Sequence, residues 1–202
     1  MATRLAEATA EIARRDTVMA GLIERLGPPT LRARRQPDPF AALVRAIAYQ
    51  QLAGAAASAI HGRFVAMFDG KLTPETVLAT PERRIREVGM SGAKAASIRD
   101  LAAKVMDGTV PLHRLSRLAD DDIVTRLSRV RGIGRWTAEM FLIFQLGRLD
   151  VWPVEDLGVR KGYALAYRLP ELPTPKELSA LGERFRPYRT IPAWYCWRAY
   201  IP

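Results

Sequence analysis

Apolar side chains recur along most of this chain at intervals of three and four, the spacing of one face of an α-helix. Phe40, Leu43, Val44, Ile47 and Ala48 form one such stripe, which predicts an amphipathic helix with that face turned inward. Val65, Met67 and Phe68 carry a second helix on to Gly70. Thr73-Pro74 and Thr80-Pro81 each read as an N-cap followed by proline at the first helical position. Thr174-Pro175-Lys176-Glu177 has the spacing of a capping box. Strict apolar/polar alternation nowhere runs far enough for a strand, and no fixed-period repeat or low-complexity tract interrupts the pattern. The expected fold is all-α.

Two irregular stretches punctuate the helices, Leu26 to Pro39 and Gly147 to Asp156. They bracket the middle of the chain. The layout expected from them has residues 38–146 as a central helical lobe and residues 1–37 and 147–202 together as a second.

Charge narrows the choice of partner. Lys and Arg number 31 against 21 acidic residues, a net charge of +10. That surplus favours a polyanion, and nucleic acid is the usual one. The single cysteine, Cys196, rules out an internal disulfide and a four-cysteine iron–sulfur or metal site. His61 and His113 are the only histidines, too few to suggest zinc. The first residues carry charge and lack an apolar signal core, and no uncharged apolar stretch reaches the length of a membrane span. A cytoplasmic protein with no membrane partner, nucleoid-associated if bacterial, is expected.

The most informative segment runs from Leu127 to Met140. A helix ends near Arg129, Gly132 and Gly134 flank Ile133, and a second helix starts at about Arg135. Two glycines two apart allow a tight turn and close approach of the backbone to a ligand. Ile133 would plug the turn into the core. The N–H groups opening the second helix suit a phosphate, with Arg131 and Arg135 adding charge and Thr137 just inside the helix. Such a grip positions nucleic acid without reading its sequence. Residues 121–146 resemble the helix-hairpin-helix DNA-binding motif.

Downstream lies Asp150-Val-Trp-Pro-Val-Glu-Asp156. A helix from Arg135 to Leu146 rises about 18 Å, and the residues after Gly147 span up to about 28 Å when extended. The loop is therefore long enough to bring Asp156 back towards the hairpin. Leu157 onward reads as another helix, with Asp156 at or near its N-cap. Taken alone, Asp156 is equally well a simple helix cap. A carboxylate is also what glycosidic cleavage through an oxocarbenium-like transition state requires. Glu155 reads as a solvated or structural neighbour.

Arg131-Gly-Ile-Gly-Arg-Trp-Thr-Ala138 followed by Val154-Glu-Asp-Leu-Gly-Val-Arg-Lys161 resembles the DNA-3-methyladenine glycosylase II family of helix-hairpin-helix base-excision DNA glycosylases. Two earlier segments also fit: Phe40 to Ser58 resembles the family's first long helix and following loop, and Val88 to Arg99 its Gly-x-Ser-x-x-Lys-x-x-x-Ile segment. The resemblance runs from about Pro39 to Trp197. It implies a two-lobed helical fold without an extra N-terminal β domain, and an active site in the cleft between the lobes. It implies a monofunctional glycosylase that flips alkylated bases of the 3-methyladenine and 7-methylguanine type out of double-stranded DNA and hydrolyses the N-glycosidic bond. A glycosylase for another damaged base, or a non-catalytic helix-hairpin-helix binding module, is the alternative.

Asp156 matches the family's catalytic aspartate. Trp136 stands where bifunctional relatives place a nucleophilic lysine, so no Schiff base can form there and no lyase activity is expected. Lys161, a turn into the next helix, reads as a surface or phosphate contact. Gln51 matches the side chain that wedges into the duplex. Trp136, Trp197, Trp152 and Met140 are assigned by resemblance to the base pocket, where an aromatic face attracts a cationic base. Met140 replaces an aromatic residue of some relatives. Trp194 reads as core. The carbonyls of Ser128, Val130 and Ile133 match positions that hold a structural Na+ or K+. No cofactor is required, and a monomer is expected.

Overall fold

Short polar side chains set many of the helix starts in this protein, and the computed structural model describes residues 2–31, 38–52 and 54–200. Asp16 closes α1 (Ala2–Arg15) and opens α2 (Thr17–Leu26), accepting a hydrogen bond from the Met19 N–H at 2.9 Å. Asp38 does the same for α3 (Pro39–Tyr49), with Pro39 at the first helical position and the Phe40 N–H as donor. The whole stripe Phe40, Leu43, Val44, Ile47 and Ala48 is buried. Helix α4 spans Gly54–Ala66 and stops short of the expected Gly70. The N–H groups of Phe68 and Asp69 bond three residues back, and Asp69 and Gly70 take φ of 48° and 77°, which turns the chain away.

Thr73 caps α5 (Pro74–Ala79) reciprocally with Thr76. Thr80 departs from expectation. Its hydroxyl donates backward to the Thr76 carbonyl at 2.8 Å, so it ends α5, and α6 (Glu82–Glu87) starts after Pro81 without a side-chain cap. Ser91 caps α7 (Gly92–Met106). A 3-10 turn at Leu115–Arg117 leads to α8 (Asp120–Leu127), whose first turn holds Asp120, Asp121 and Asp122 against the positive end of the helix dipole. Then comes α9 (Arg135–Met140). The run expected as one α-helix to Leu146 changes to π-helix over Phe141–Leu146. The last elements are α10 (Leu157–Tyr167), α11 (Pro175–Gly182), a 3-10 turn at Glu183–Phe185 and α12 (Thr190–Tyr200). Thr174 and Glu177 complete the expected capping box on α11. Among the described residues there is no strand, and no helix is long and apolar enough to cross a membrane.

The chain divides into two compact units, Arg34–Phe141 and Met1–Ala33 with Leu142–Pro202. The first contains α3 to α9 and buries Phe40, Phe64, Ile85, Ile98, Leu101 and Leu127. The second is built on α10 and α12. A Cβ placed on Gly162 would run into the Cys196 carbonyl, so these two helix backbones touch where only glycine fits. Around that contact Ile12, Met19, Trp152, Tyr163, Phe185 and Tyr195 form an apolar core, and full burial of such a side chain stabilises by about 1.5–3 kcal/mol. A buried carboxylate of this core, Asp16, accepts from the Tyr167 hydroxyl at 2.9 Å and faces the Arg184 guanidinium at 3.3 Å.

Candidate active site

In the unit of α3 to α9, the turn after α8 is fixed from inside. Val130 and Ile133 are buried, and the Ile133 N–H closes the turn on the Val130 carbonyl at 3.0 Å. Gly132 has two reasons to be glycine: φ is 76°, and a Cβ would lie 2.6 Å from Ser97 Oγ on α7. Gly134, the N-cap of α9, has neither. Its φ of −88° suits any residue, and nothing lies within 4 Å of the place a Cβ would take. The protein's own packing leaves that spot open, and it faces solvent.

The basic residues of the turn are exposed, and acids hold the Arg131 backbone and the Arg135 side chain. The Arg131 N–H donates to Asp100 Oδ2 at 2.7 Å. Burial pushes the Asp100 carboxyl up, but the hydrogen bonds from Arg131 and Lys104 outweigh it and hold the group below the usual carboxylate range. Arg135 Nε donates to Glu139 Oε1 at 2.9 Å, and Glu139 is buried beneath it. Thr137 is only 7% exposed and its hydroxyl accepts from Gln50 Nε2 at 3.4 Å, so its side chain supports the turn from within, while its N–H belongs to the first turn of α9, where helix donors lack intrahelical partners. Trp136 is 44% exposed, and Met140 is half-buried.

Gln51 follows the end of α3, exposed and at φ 54°, a left-handed conformation uncommon for a residue with a side chain. Lys94 Nζ donates to the Ala48 carbonyl at 2.8 Å, satisfying the last turn of α3. Gln50 Nε2 donates to the Gly132 carbonyl at 2.9 Å.

In the other unit Asp156 is the N-cap of α10. Its Oδ1 accepts from the Val159 N–H at 2.8 Å and from the Trp197 indole N–H at 2.9 Å. Gly158 makes room for that second bond: a Cβ there would lie 2.9 Å from Trp197 Cδ1 and 3.1 Å from Asp156 Oδ1. The Trp197 ring stacks on Phe144, with centroids 5.9 Å apart and planes at 26°. Phe144 projects from the π-helix and is 37% exposed. A carboxylate, an indole and a partly exposed phenyl ring thus stand in sequence, a charge beside aromatic faces. Glu155 is exposed, and Lys161 Nζ donates to the Tyr200 hydroxyl at 3.1 Å.

Trp152 is corrected to a core residue. It is 5% exposed, its indole N–H donates to the Leu178 carbonyl at 2.7 Å, and its ring packs on Tyr163 and Phe185. A ring committed on every side cannot line an open pocket. Trp194 is half-buried against Tyr195. Phe144, Gln50 and the glycine pair Gly158 and Gly162 were not foreseen from the sequence. The pair was visible there as two glycines four apart, one face of a helix that another helix can approach closely.

The carbonyls of Ser128, Val130 and Ile133 are neutral, hard oxygen donors, the type that suits an alkali-metal ion. Val130 spends one lone pair on the Ile133 N–H and keeps a second. Among the described residues no cluster of three or more His, Cys, Asp or Glu could hold a metal ion.

A family model described as "HhH-GPD superfamily base excision DNA repair protein" matches residues 44–187. DNA-3-methyladenine glycosylase 1 of Schizosaccharomyces pombe is 38% identical over 170 residues, 83% of this chain and 75% of the relative. The solved 3-methyladenine DNA glycosylase of that yeast, in complex with abasic DNA, superposes with a TM-score of 0.83 at 35% identity, covering 95% of both chains. A DNA-3-methyladenine glycosidase from Bacillus halodurans gives 0.86, also at 35% identity, covering 94% of this chain and 87% of its own.

Proposed function

Because the chain belongs to the HhH-GPD superfamily of base excision DNA repair proteins, we propose that it is a monofunctional DNA glycosylase that hydrolyses the N-glycosidic bond of alkylated bases in duplex DNA. The observation that carries this reading is the Asp156–Trp197–Phe144 arrangement: a carboxylate held by an indole N–H, with the indole stacked on an exposed phenyl ring. Bases alkylated at N3 or N7 carry positive charge, and aromatic faces attract a cation by about 0.5–2 kcal/mol. The same charge makes the base a good leaving group.

In this mechanism the bond between C1′ and the base nitrogen breaks, and its electron pair leaves with the base. Positive charge develops on the sugar, where Asp156 stabilises it, aligns the attacking water, or does both. Water adds at C1′ and loses a proton, giving free base and an abasic site. With Trp136 in the place of a lysine, no Schiff base forms and the strand stays intact. Gln51 enters the duplex where the base has left, which offsets a flipping cost of a few kcal/mol. Trp136 and Met140 keep the base-contact roles that the family likeness assigns, while Trp152 supports the core.

The hairpin holds a phosphate through the backbone at Gly132 and Gly134 with Arg131 and Arg135. The open position at Gly134, glycine without a packing reason, supports that assignment. A Na+ or K+ on the carbonyls of Ser128, Val130 and Ile133 would stiffen the turn, with no part in the chemistry. The protein acts as a monomer on cytoplasmic or nucleoid DNA and needs no other cofactor.

Asp156 also does what a purely structural N-cap does, which favours one rival, a binding module without activity. Release of 3-methyladenine or 7-methylguanine from methylated duplex decides between them, comparing wild type with Asp156→Asn, a change that keeps the cap. Release by wild type alone, with the abasic strand uncut, is expected. Release by both variants would remove Asp156 from the chemistry, and release by neither would leave the binding module.

A further inference from the structure

We propose that Gln50 is a positioning residue that ties the loop carrying Gln51 to the hairpin turn, so that the side chain entering the duplex and the turn holding its backbone act in fixed register. This rests on the reading of Gln51 given above.

The geometry lies within one unit. Gln50 is the C-cap of α3, half-buried, with its own N–H bonded to the Ile47 carbonyl at 3.3 Å and its backbone turned to ψ 132°. From there its carboxamide crosses to the hairpin and donates to the Gly132 carbonyl at 2.9 Å. The peptide between Gly132 and Ile133 is then held at both ends, its carbonyl by Gln50 and its N–H by Val130. The next peptide is the one whose N–H, at Gly134, is assigned to phosphate. Gly132 is itself pressed between Gln50 and Ser97. Lys94, on the same helix as Ser97, holds the carbonyl of Ala48 two residues before Gln50.

Three elements therefore fix two exposed features, Gly134 and Gln51, that are eighty-three positions apart in the chain. This requires a donor at the end of a side chain long enough to reach the hairpin. A carboxylate at position 50 would set an acceptor against the Gly132 carbonyl, and an apolar side chain would leave that carbonyl without this donor.

The test uses the full chain with Gln50→Met, which keeps the length and removes the donor, and Gln50→Glu, which keeps the shape and reverses the polarity. Affinity is measured for an intact duplex and for the same duplex holding a tetrahydrofuran abasic site. Excision is measured for a methylated base that is paired and for one that faces a gap. Both variants are expected to melt within a few degrees of wild type, the cost of about one hydrogen bond, and to bind intact duplex equally. Both should lose about fivefold of the preference for the abasic duplex, the size of one neutral hydrogen bond. Their excision defect should appear with the paired base and shrink opposite the gap, where less flipping work is needed. An unchanged abasic preference, its absence in wild type, or an equal loss on intact duplex overturns the proposal. If wild type releases no base while the variants still lose abasic preference, the glycosylase reading fails and the role of Gln50 stands. If wild type releases base and both variants match it on every substrate, Gln50 has no such role and the glycosylase reading stands.

Discussion

Replacing Gly158 with alanine separates the activity of this protein from its stability. Glycine inside a helix is usually worse than alanine by about 1 kcal/mol, so an exposed site would gain from the change. Here the new methyl group would meet Trp197 Cδ1 at 2.9 Å and Asp156 Oδ1 at 3.1 Å. Ordinary contact begins at 3.4 Å, so the ring must withdraw by about half an ångström and the bond from its N–H to Asp156, now 2.9 Å, must stretch. A hydrogen bond to a charged group is worth about 1.5–3 kcal/mol, or roughly 10- to 150-fold in rate if it is lost in the transition state. The half-buried setting of both residues places the expected effect at the lower end, about tenfold. Single-turnover release of 7-methylguanine from methylated duplex reads it directly, alongside thermal melting. Trp197→Phe should give a similar loss, since it removes the donor without adding a clash. Gly162→Ala should instead act on stability: its methyl group runs into the backbone of Cys196, which cannot yield as a side-chain tip does, and overpacking of about 3 kcal/mol or more would lower the melting temperature by about 6 °C or more. Excision at the wild-type rate by well-folded Gly158→Ala and Trp197→Phe would refute the idea that the indole aims the carboxylate.

The hairpin glycines should also separate. Gly132→Ala must hold φ near 76° and displace Ser97, losing about 2 kcal/mol or more of stability, whereas Gly134→Ala should melt within about 1 kcal/mol of wild type and bind duplex DNA more weakly; equal melting of the two variants would count against the packing argument. Asp100 links acid stability to the hairpin. Its folded pKa lies below the ordinary value, so its contribution is complete above that value and is lost as pH falls through the folded one. The stability difference between wild type and Asp100→Asn should therefore shrink as pH is lowered below about 4 in urea unfolding, and a constant difference would contradict the assignment. With a net charge of +10, affinity for undamaged duplex should fall linearly on a logarithmic salt scale, and a flat dependence between low and moderate salt would remove the phosphate grip.

What the chain made legible follows from the range of the forces involved. The buried stripe of α3, the caps at Thr73 and Thr174 and the N-cap at Asp156 are local, and local chemistry announces them. Thr80 looked the same as Thr73 because a threonine before proline has two bonding directions, and here the backward one, to Thr76, prevails. The π-helix at Phe141–Leu146 was hidden because its apolar run suits either ladder. The wider turn changes the direction in which each later side chain points, and that sets Phe144 beside Trp197. Trp152 was misplaced for a related reason: an aromatic ring near a site motif can serve the core behind the site as readily as the surface in front of it. Gln50 and Lys94 act across long sequence separations, on Gly132 and Ala48, and no periodicity carries that information.

The double acceptance at Asp156 Oδ1 gives the protein a built-in reporter. The Val159 amide proton is bonded to the same oxygen that the indole holds, so its exchange with solvent is gated by the orientation of the carboxylate. Fraying of the first turn of α10 and reorientation of the carboxylate are then coupled, and if Asp156 has its proposed role, that coupling is observable at one backbone amide in the free protein, without DNA and without turnover.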